Sequence, residues 1–414
     1  MVAAQAHAQD IVGRAAQARR AGDVRGAKRL LEDLLVADPA CVPALNSLGL
    51  LALAEKDVAR AADLLNRAAE LDPAAAPVWL NLAEARRAAG DVAAELVALD
   101  RALAIDPYLF PALFRKGQAL EQSGRLAESA KPYGALLSIT ANSVNLPEPV
   151  QQALAHAREV VKSVGDAAFE RMAGALEATN SRFPDADLSR ARIYAEQLAG
   201  RRKVYQQQPT RGQFPFLPAF EFFDRALFPW FDGLEAATDD IHRELRALWD
   251  EGVDGFQPYV AFDETQPVNQ WAELNHSPRW SAWFLWKDGI RQDQNCARCP
   301  ATAAALEAVP LLDIPGKAPS VMFSILHPRT RIPPHTGFSN VRSTVHLPLV
   351  VPEGCGFRVG GETREWRPGR AWAFDDTIEH EAWNDSDRPR AILILDVWNP
   401  LLTDVEQAAV RSIG

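Results

Sequence analysis

Asp72-Pro-Ala-Ala-Ala-Pro-Val-Trp-Leu-Asn-Leu-Ala-Glu-Ala-Arg-Arg-Ala-Ala-Gly-Asp91 decides how the first third of the chain folds. An Asp-Pro pair opens it, where one helix must stop, and a Gly-Asp pair closes it at the turn into the next helix. Both marks recur. Asp-Pro stands at Asp38-Pro39, Asp72-Pro73 and Asp106-Pro107, each 34 residues after the last. Gly22-Asp23, Lys56-Asp57, Gly90-Asp91 and Gly124-Arg125 keep the same step. Between the marks, Ala44-Leu45-Asn46-Ser47-Leu48-Gly49 matches Val78-Trp79-Leu80-Asn81-Leu82-Ala83, with a small residue where paired helices must approach closely.

Two markers in phase over about four units give the tetratricopeptide period, so residues 1–142 read as a repeat array of helix pairs. Such an array is an interaction scaffold with a concave face and carries no chemistry by itself. It serves either as a helical spacer or dimerisation element or, the reading favoured, as the binding site for a protein or peptide partner. The oligomeric state is not set by the sequence. Residues 143–204 stay Ala-rich and helix-forming without the markers, as connecting or capping helices. The polar, Pro- and Gly-bearing stretch from Gln206 to Phe216 then opens an aromatic-rich region, and ten of the 11 Trp lie beyond Pro229. The second domain is therefore placed at 205–414.

A net charge of −10 and a pI near 5.4 argue against nucleic acid as a partner, because phosphate binding needs a basic surface. No apolar run reaches the ~18 residues of a membrane span. The opening MVAAQAHAQD has neither a basic n-region nor an apolar h-region, and four cysteines make no disulfide framework. A cytoplasmic protein is expected.

From Ser320 the pattern turns to short strands: VMFSILH, VRSTVHLPLVV, a CGFRVGGETREW hairpin turning at Gly360-Gly361, then AWAFDD, EHEAWND and RAILILDVW. Strands at roughly ten-residue spacing with turn signals predict a mainly β, jelly-roll or cupin-like domain (a double-stranded β-helix with flanking helices) around a central pocket. Six of the eight histidines lie in this domain. Taken singly each is more readily a core or surface histidine. Two stand apart by context: His335 in Ile332-Pro-Pro-His-Thr-Gly-Phe-Ser-Asn340, and His380 in Phe374-Asp-Asp-Thr-Ile-Glu-His-Glu-Ala-Trp383, with Arg390 opening a late strand ten residues on. Paired imidazoles can hold iron on one face and leave positions free, and a guanidinium fork can take a carboxylate in bidentate fashion. A 2-His-1-carboxylate triad would need an acid two residues after His335, where Gly337 stands.

The ordered motifs Asn269-Gln-Trp271, Glu273-Leu-Asn-His-Ser277, Trp280-Ser-Ala-Trp-Phe-Leu-Trp286, Ser324-Ile-Leu-His-Pro328, Pro334-His-Thr-Gly337, His346-Leu-Pro-Leu349, Phe374-Asp-Asp376, Glu379-His-Glu381 and Asp396-Val-Trp398 carry a resemblance. Residues from about Tyr205 to Leu402 resemble the aspartyl/asparaginyl β-hydroxylase family of Fe(II)- and 2-oxoglutarate-dependent oxygenases, some bacterial members of which carry tetratricopeptide repeats. The resemblance implies His335 and His380 as the iron ligands, with solvent in place of the carboxylate and a small residue at Gly337. It implies Arg390, helped by Ser324, for the C5 carboxylate of 2-oxoglutarate, and His346 for its C1 end. Arg342 resembles a residue that meets an acidic substrate side chain, and Trp286 is placed in the same pocket. Animal-type relatives carry a further Arg where this chain has Thr344, which leaves the C1 end less cationic. The implied reaction couples O₂ and oxidative decarboxylation of the cosubstrate to hydroxylation of a C–H, typically Cβ of Asp or Asn.

Two other readings stay open: the same chemistry on a lipid acyl chain or small molecule, and an interaction protein whose oxygenase domain is inactive. Cys296-Ala-Arg-Cys299 has no second Cys pair and reads as structural rather than as redox or zinc chemistry. Asp375-Asp376 reads as orienting His380 or capping its turn, and Asp239-Asp240 as a solvated helix face.

Overall fold

The computed structural model describes residues 2–250, 255–263 and 265–413, for 2–6 and 250 by backbone alone. The chain divides into two compact units, Met1–Arg202 and Lys203–Gly414.

The first unit is helical. Helices α1 (Val2–Arg20), α2 (Val24–Ala37), α3 (Val42–Ala54), α4 (Val58–Leu71), α5 (Ala76–Ala88), α6 (Val92–Ile105), α7 (Phe110–Gln122) and α8 (Leu126–Ile139) run as antiparallel pairs, followed by α9 (Glu148–Arg182) and α10 (Ser189–Leu198). The sequence markers have local causes. Asp23, Asp57 and Asp91 are N-caps, each side chain accepting the backbone N–H three residues on. Asp38, Asp72 and Asp106 end the second helix of a pair, and each carboxylate accepts the N–H two residues on. The turn between paired helices needs the left-handed region, which Gly22, Gly90 and Gly124 adopt with φ of 73–85° and Lys56 adopts at 64°. Gly49 and Gly117 mark the closest helix approach, where a Cβ would meet Leu65 Cγ at 2.5 Å and the Tyr133 ring at 2.4 Å. At the position of α6 equivalent to buried Ala27 and Ala61, the third pair carries Glu95, buried, with Oε2 lacking a partner.

The second unit is built on two antiparallel sheets. The larger uses β1 (Gln257–Pro258), β2 (Trp280–Lys287), β4 (Val321–Leu326), β6 (Arg342–Val350), β9 (Trp372–Phe374) and β11 (Arg390–Trp398) in the order β1-β2-β4-β11-β6-β9, with β3 (Ile290–Arg291) on β2. The smaller orders β5 (Thr330–His335), β10 (His380–Asn384), β7 (Cys355–Val359) and β8 (Glu362–Arg364) as β5-β10-β7-β8. Strands β4 and β11 are buried at every residue, which is why they read as continuous apolar runs. Their alternate residues serve two cores. Phe323, Ile325, Leu393 and Leu395 pack with Phe231, Ile241, Leu245 and Leu306 of the covering helices α11 (Phe231–Ala236), α12 (Thr238–Asp250) and α14 (Pro300–Leu306). Met322, Leu326, Ile392 and Ile394 face the smaller sheet and share a core with its Ile332, Phe357, Val359 and Ala382. The expected division into a helical repeat array and a mainly β domain with flanking helices is what the structure shows.

Candidate active site

Side-chain alternation assigns the polar residues of this inner face. Directly paired residues of antiparallel strands point to the same side. Ser324 pairs with Ile392, Arg390 with Leu326 and His346 with Ile394, so these three polar groups join the core that faces the smaller sheet. Thr344 pairs with Asp396, and Arg342 with Trp398, further along the same pair of strands.

His335 and His380 come from the smaller sheet. They are register partners on β5 and β10, and a bulge lies between this pair and Ile332–Ala382. Two residues of β5, Pro333 and Pro334, there oppose one of β10, Glu381, so the extra residue turns His335 to the side His380 already faces. Pro333 and Pro334 supply that stretch. Without N–H groups they do not complete a ladder, and β5 is the edge strand where this is tolerated. The rings lie 4.1 Å apart between centroids. In each, Nδ1–H donates to a carbonyl two residues earlier, Pro333 at 2.8 Å and Ile378 at 3.0 Å. Both Nε2 lone pairs are thereby left as ligands. Burial, then mutual repulsion, pulls His335 down to about 3, and burial pulls His380 down to about 4, so both rings are neutral near pH 7. Among the described residues, no group of three His, Cys, Asp or Glu is placed to hold a metal. The set is two imidazoles.

Gly337 has a structural reason. A Cβ there would lie 2.0 Å from Oδ2 of Asp376, because the Asp376 carboxylate fills that space. Asp376 is bonded to Arg342, whose Nη1 also lies 3.3 Å from Asp396 Oδ1. Asp375 caps the turn, its Oδ1 accepting the N–H and hydroxyl of Thr377, and neither carboxylate bonds the His380 ring.

Arg390 is 2 % exposed with Nε and Nη1 lacking partners, and the Trp366 ring lies 5.2 Å from its guanidinium carbon. An unpaired buried cation is costly, and burial holds this one down to about 10. His346 Nδ1 and Trp366 Nε1 are likewise buried without partners, in stacked rings 5.7 Å apart. Burial, then Arg390, holds the His346 imidazole well below its usual range. Phe374 bridges the two groups, 4.9 Å from His346 and 5.2 Å from His380. Ser324 accepts a hydrogen bond from Trp280 Nε1 at 3.0 Å.

The structure therefore brings together His335, His380, His346, Ser324 and Arg390, and puts Arg342 beside them in an ion-pair cluster. Trp286 it places elsewhere. A register shift between Phe284 and Trp286 pairs Trp286 with Val321 and turns it to the outer core. Trp271 stands edge-on to His335 at 4.9 Å, and Trp280 lies 6.1 Å from Trp271. Sequence reading names Trp271 and Trp280 only within motifs that carry the resemblance, and Trp366 only at the end of a hairpin, with no site role for any of the three. Cys296 and Cys299 are buried, unpaired thiols in the core cluster that also holds Leu306 of α14.

The residues present fit a metal and a dicarboxylate: two free imidazole lone pairs, and behind them a buried guanidinium with unused donors. Residues 235–400 match the family described as aspartyl/asparaginyl beta-hydroxylase, and residues 13–76 match the tetratricopeptide repeat. Residues 235–400 are thus similar to the aspartyl/asparaginyl β-hydroxylase family, and residues 13–76 to tetratricopeptide repeats. It is 34% identical over 191 residues to the human aspartyl/asparaginyl beta-hydroxylase (45% of this chain, 24% of that protein). It is 34% identical over 184 residues to the Rhizobium tropici ornithine lipid ester-linked acyl 2-hydroxylase (43% and 60%). Human aspartate beta-hydroxylase domain-containing protein 2 is 29% identical over 213 residues (50% and 55%). The chain spans less than two thirds of each relative's length.

Proposed function

We propose that the second unit is an Fe(II)- and 2-oxoglutarate-dependent dioxygenase. It hydroxylates a C–H, at Cβ of Asp or Asn or a related residue, in a protein, peptide or amino-acid-like substrate. The repeat unit recruits the partner. The observation that carries this reading is Arg390, a buried guanidinium with two unused donor nitrogens behind paired, neutral imidazoles. His335 and His380 hold the metal through Nε2, each ring locked by its Nδ1–H bond. Arg390 takes the distal carboxylate of the cosubstrate in a charge-assisted, desolvated contact, with Ser324 adjacent on the next strand and His346 at the C1 end. Trp271, Trp280 and Phe374 wall the imidazoles from water. Bound there, the metal and cosubstrate supply the O₂ activation, with succinate and CO₂ as by-products, while the chain supplies placement and a dry pocket.

The test is anaerobic loading with Fe(II), then conversion of 2-oxoglutarate to succinate, with His335→Ala and Arg390→Ala as controls. Absence of iron binding and of turnover, even uncoupled, would leave the interaction-scaffold reading. A second reading, hydroxylation of an acyl chain, draws on the Rhizobium tropici relative, matched at the same identity over a larger share of its length. A one-oxygen mass gain on ester-linked acyl lipids and not on peptides would select it.

A further inference from the structure

The two imidazoles belong to separate stretches of chain: His335 ends β5 and leads into the loop 336–341, and His380 begins β10 after the turn 375–379. On the oxygenase reading, on which this inference rests, a metal joins them, so their spacing must be held before it arrives. Two links are direct, the His335–His380 register pair and the Gly337 N–H donated to the Asp376 carbonyl at 2.6 Å. A third comes from residues 207–214, which precede the stretch matched to the family, 235–400. Thr210 donates its N–H and its hydroxyl to the Gly337 carbonyl, at 2.8 and 3.1 Å. Arg211 N–H donates to the Phe338 carbonyl at 3.0 Å. The Arg211 guanidinium lies over the Phe338 ring at 5.6 Å, as does that of Arg342 at 5.5 Å. Gln208 N–H donates to the Thr377 carbonyl of the turn at 2.7 Å. Strand β5 is a sheet edge, and this segment supplies donors to its outgoing loop as a further strand would.

One side chain of the segment, Gln207, bonds to both stretches. Asn340, fully buried in the loop, is oriented by backbone: its Oδ1 accepts Phe214 N–H at 2.6 Å, and its Nδ2 donates to the Phe214 carbonyl at 2.9 Å. That Nδ2 also donates to Gln207 Oε1 at 3.1 Å, which turns the Gln207 NH2 toward Asp375. Gln207 Nε2 donates to Asp375 Oδ2 at 2.5 Å, while Thr377 occupies the other carboxylate oxygen. Longer contacts of 3.5 Å, from Gln213 Nε2 and to the Pro218 carbonyl, complete the surroundings of the amide. We infer that Gln207 is a positioning residue for the metal site: its one amide spans the loop after His335 and the turn before His380, and holds the two imidazoles at their working distance. It acts on the rings through Asn340 and Asp375. Removing outer partners of this kind typically costs roughly 10- to 100-fold in metal affinity.

The probe is Co(II), titrated anaerobically into the metal-free full chain and followed by its visible absorption bands, with melting measured in parallel. Gln207→Leu, which removes both bonds, is expected to weaken Co(II) binding at least about tenfold and to shift the bands. Gln207→Asn keeps the amide but falls one methylene short, and is expected to weaken binding about threefold or more. Leu217→Ala controls for a merely structural role. It loosens the same stretch where it packs on the core of Leu312, Val341 and Leu402. It is expected to lower the melting transition while Co(II) affinity and bands stay as in the wild type. Binding by Gln207→Leu within tenfold of the wild type overturns the inference, as does equal weakening by Leu217→Ala. Where Gln207→Leu does not fold, Gln207→Asn decides at the threefold line. A wild-type chain that binds no Co(II) refutes the metal reading itself, and the inference falls with it; intact binding in the Gln207 variants refutes the inference alone.

Discussion

Replacing Gly337 by Asp would write a carboxylate two residues after His335 and complete, on paper, a three-ligand metal set. The structure predicts loss instead. Any Cβ at 337 falls 2.0 Å from Oδ2 and 2.2 Å from Cγ of Asp376, about 1 Å inside the 3.0 Å floor for real Cβ contacts. Asp376 cannot give way cheaply, since its Oδ2 is bound to Arg342 and its carbonyl to Gly337 N–H. Relief by moving the carboxylate breaks a buried ion pair, which destabilises by about 3–5 kcal/mol. For a unit of this size that lowers its melting transition by roughly 6–20 °C. Gly337→Ala carries the same steric term without the second charge and is expected to lose a comparable amount, about 3–5 kcal/mol. Calorimetry of the full chain reads the stability, and titration with Co(II) followed by its absorption bands reads the metal. A Gly337→Asp protein with wild-type melting and tighter Co(II) binding would refute the reasoning.

Arg390→Met is expected to separate function from stability. Losing a charge-assisted contact is worth about 2–4 kcal/mol, or roughly 30- to 1000-fold in 2-oxoglutarate affinity by calorimetric titration, while removing an unpaired buried charge leaves melting unchanged or higher. Glu95→Ala restores the small residue found at the equivalent Ala27 and Ala61 and removes an unsatisfied buried oxygen; chemical denaturation is expected to show about 1–2 kcal/mol of added stability in the repeat unit. Burial pushes Asp375 up to about 6, above its ordinary 3.8, so ionisation opposes folding. At 1.36 kcal/mol for each pH unit of that difference, the penalty is absent below about pH 4, grows between pH 4 and 6, and is constant at roughly 3 kcal/mol above. Asp375→Asn is expected to melt higher than the wild type at pH 8 and alike at pH 4; a gap independent of pH would contradict the assignment.

The repeat array was legible because its period is enforced by local chemistry. An Asp cap, a left-handed turn and a helix-stopping Asp-Pro recur within single units, and even Lys56 at a Gly position did not hide them. His335, His380 and Arg390 were legible as residues, and the bulge that aims His335 had a visible signal in Pro333-Pro334. What stayed hidden depends on register. Trp280, Ala282, Phe284 and Trp286 alternate perfectly in sequence, which predicts a common face, and only the slip after Phe284 turns Trp286 outward. The engagement of Arg342 was equally invisible, because its two partners lie 34 and 54 residues away in sequence (376 − 342 and 396 − 342) and meet it only through β6–β11 pairing and the turn before β10. Trp366 stands at the end of the hairpin the sequence predicts, just past β8, but its approach to Arg390 comes through tertiary packing that sequence pattern does not show.

On the proposed reading, two neutral imidazoles on neighbouring strands, with no carboxylate placed beside them as a third ligand among the described residues, also bear on which metal the site would take. Nitrogen donors favour late first-row ions, and affinity at such a site rises from Fe(II) toward Ni(II), Cu(II) and Zn(II). A carboxylate would shift that balance toward harder ions, but Asp376 fills the space beside Gly337 and is itself held by Arg342. The chain has therefore little means of choosing iron by binding strength. If the proposed oxygenase reading holds, metal content would follow what the surroundings deliver, and excess zinc or copper would displace iron and abolish turnover while leaving the fold untouched.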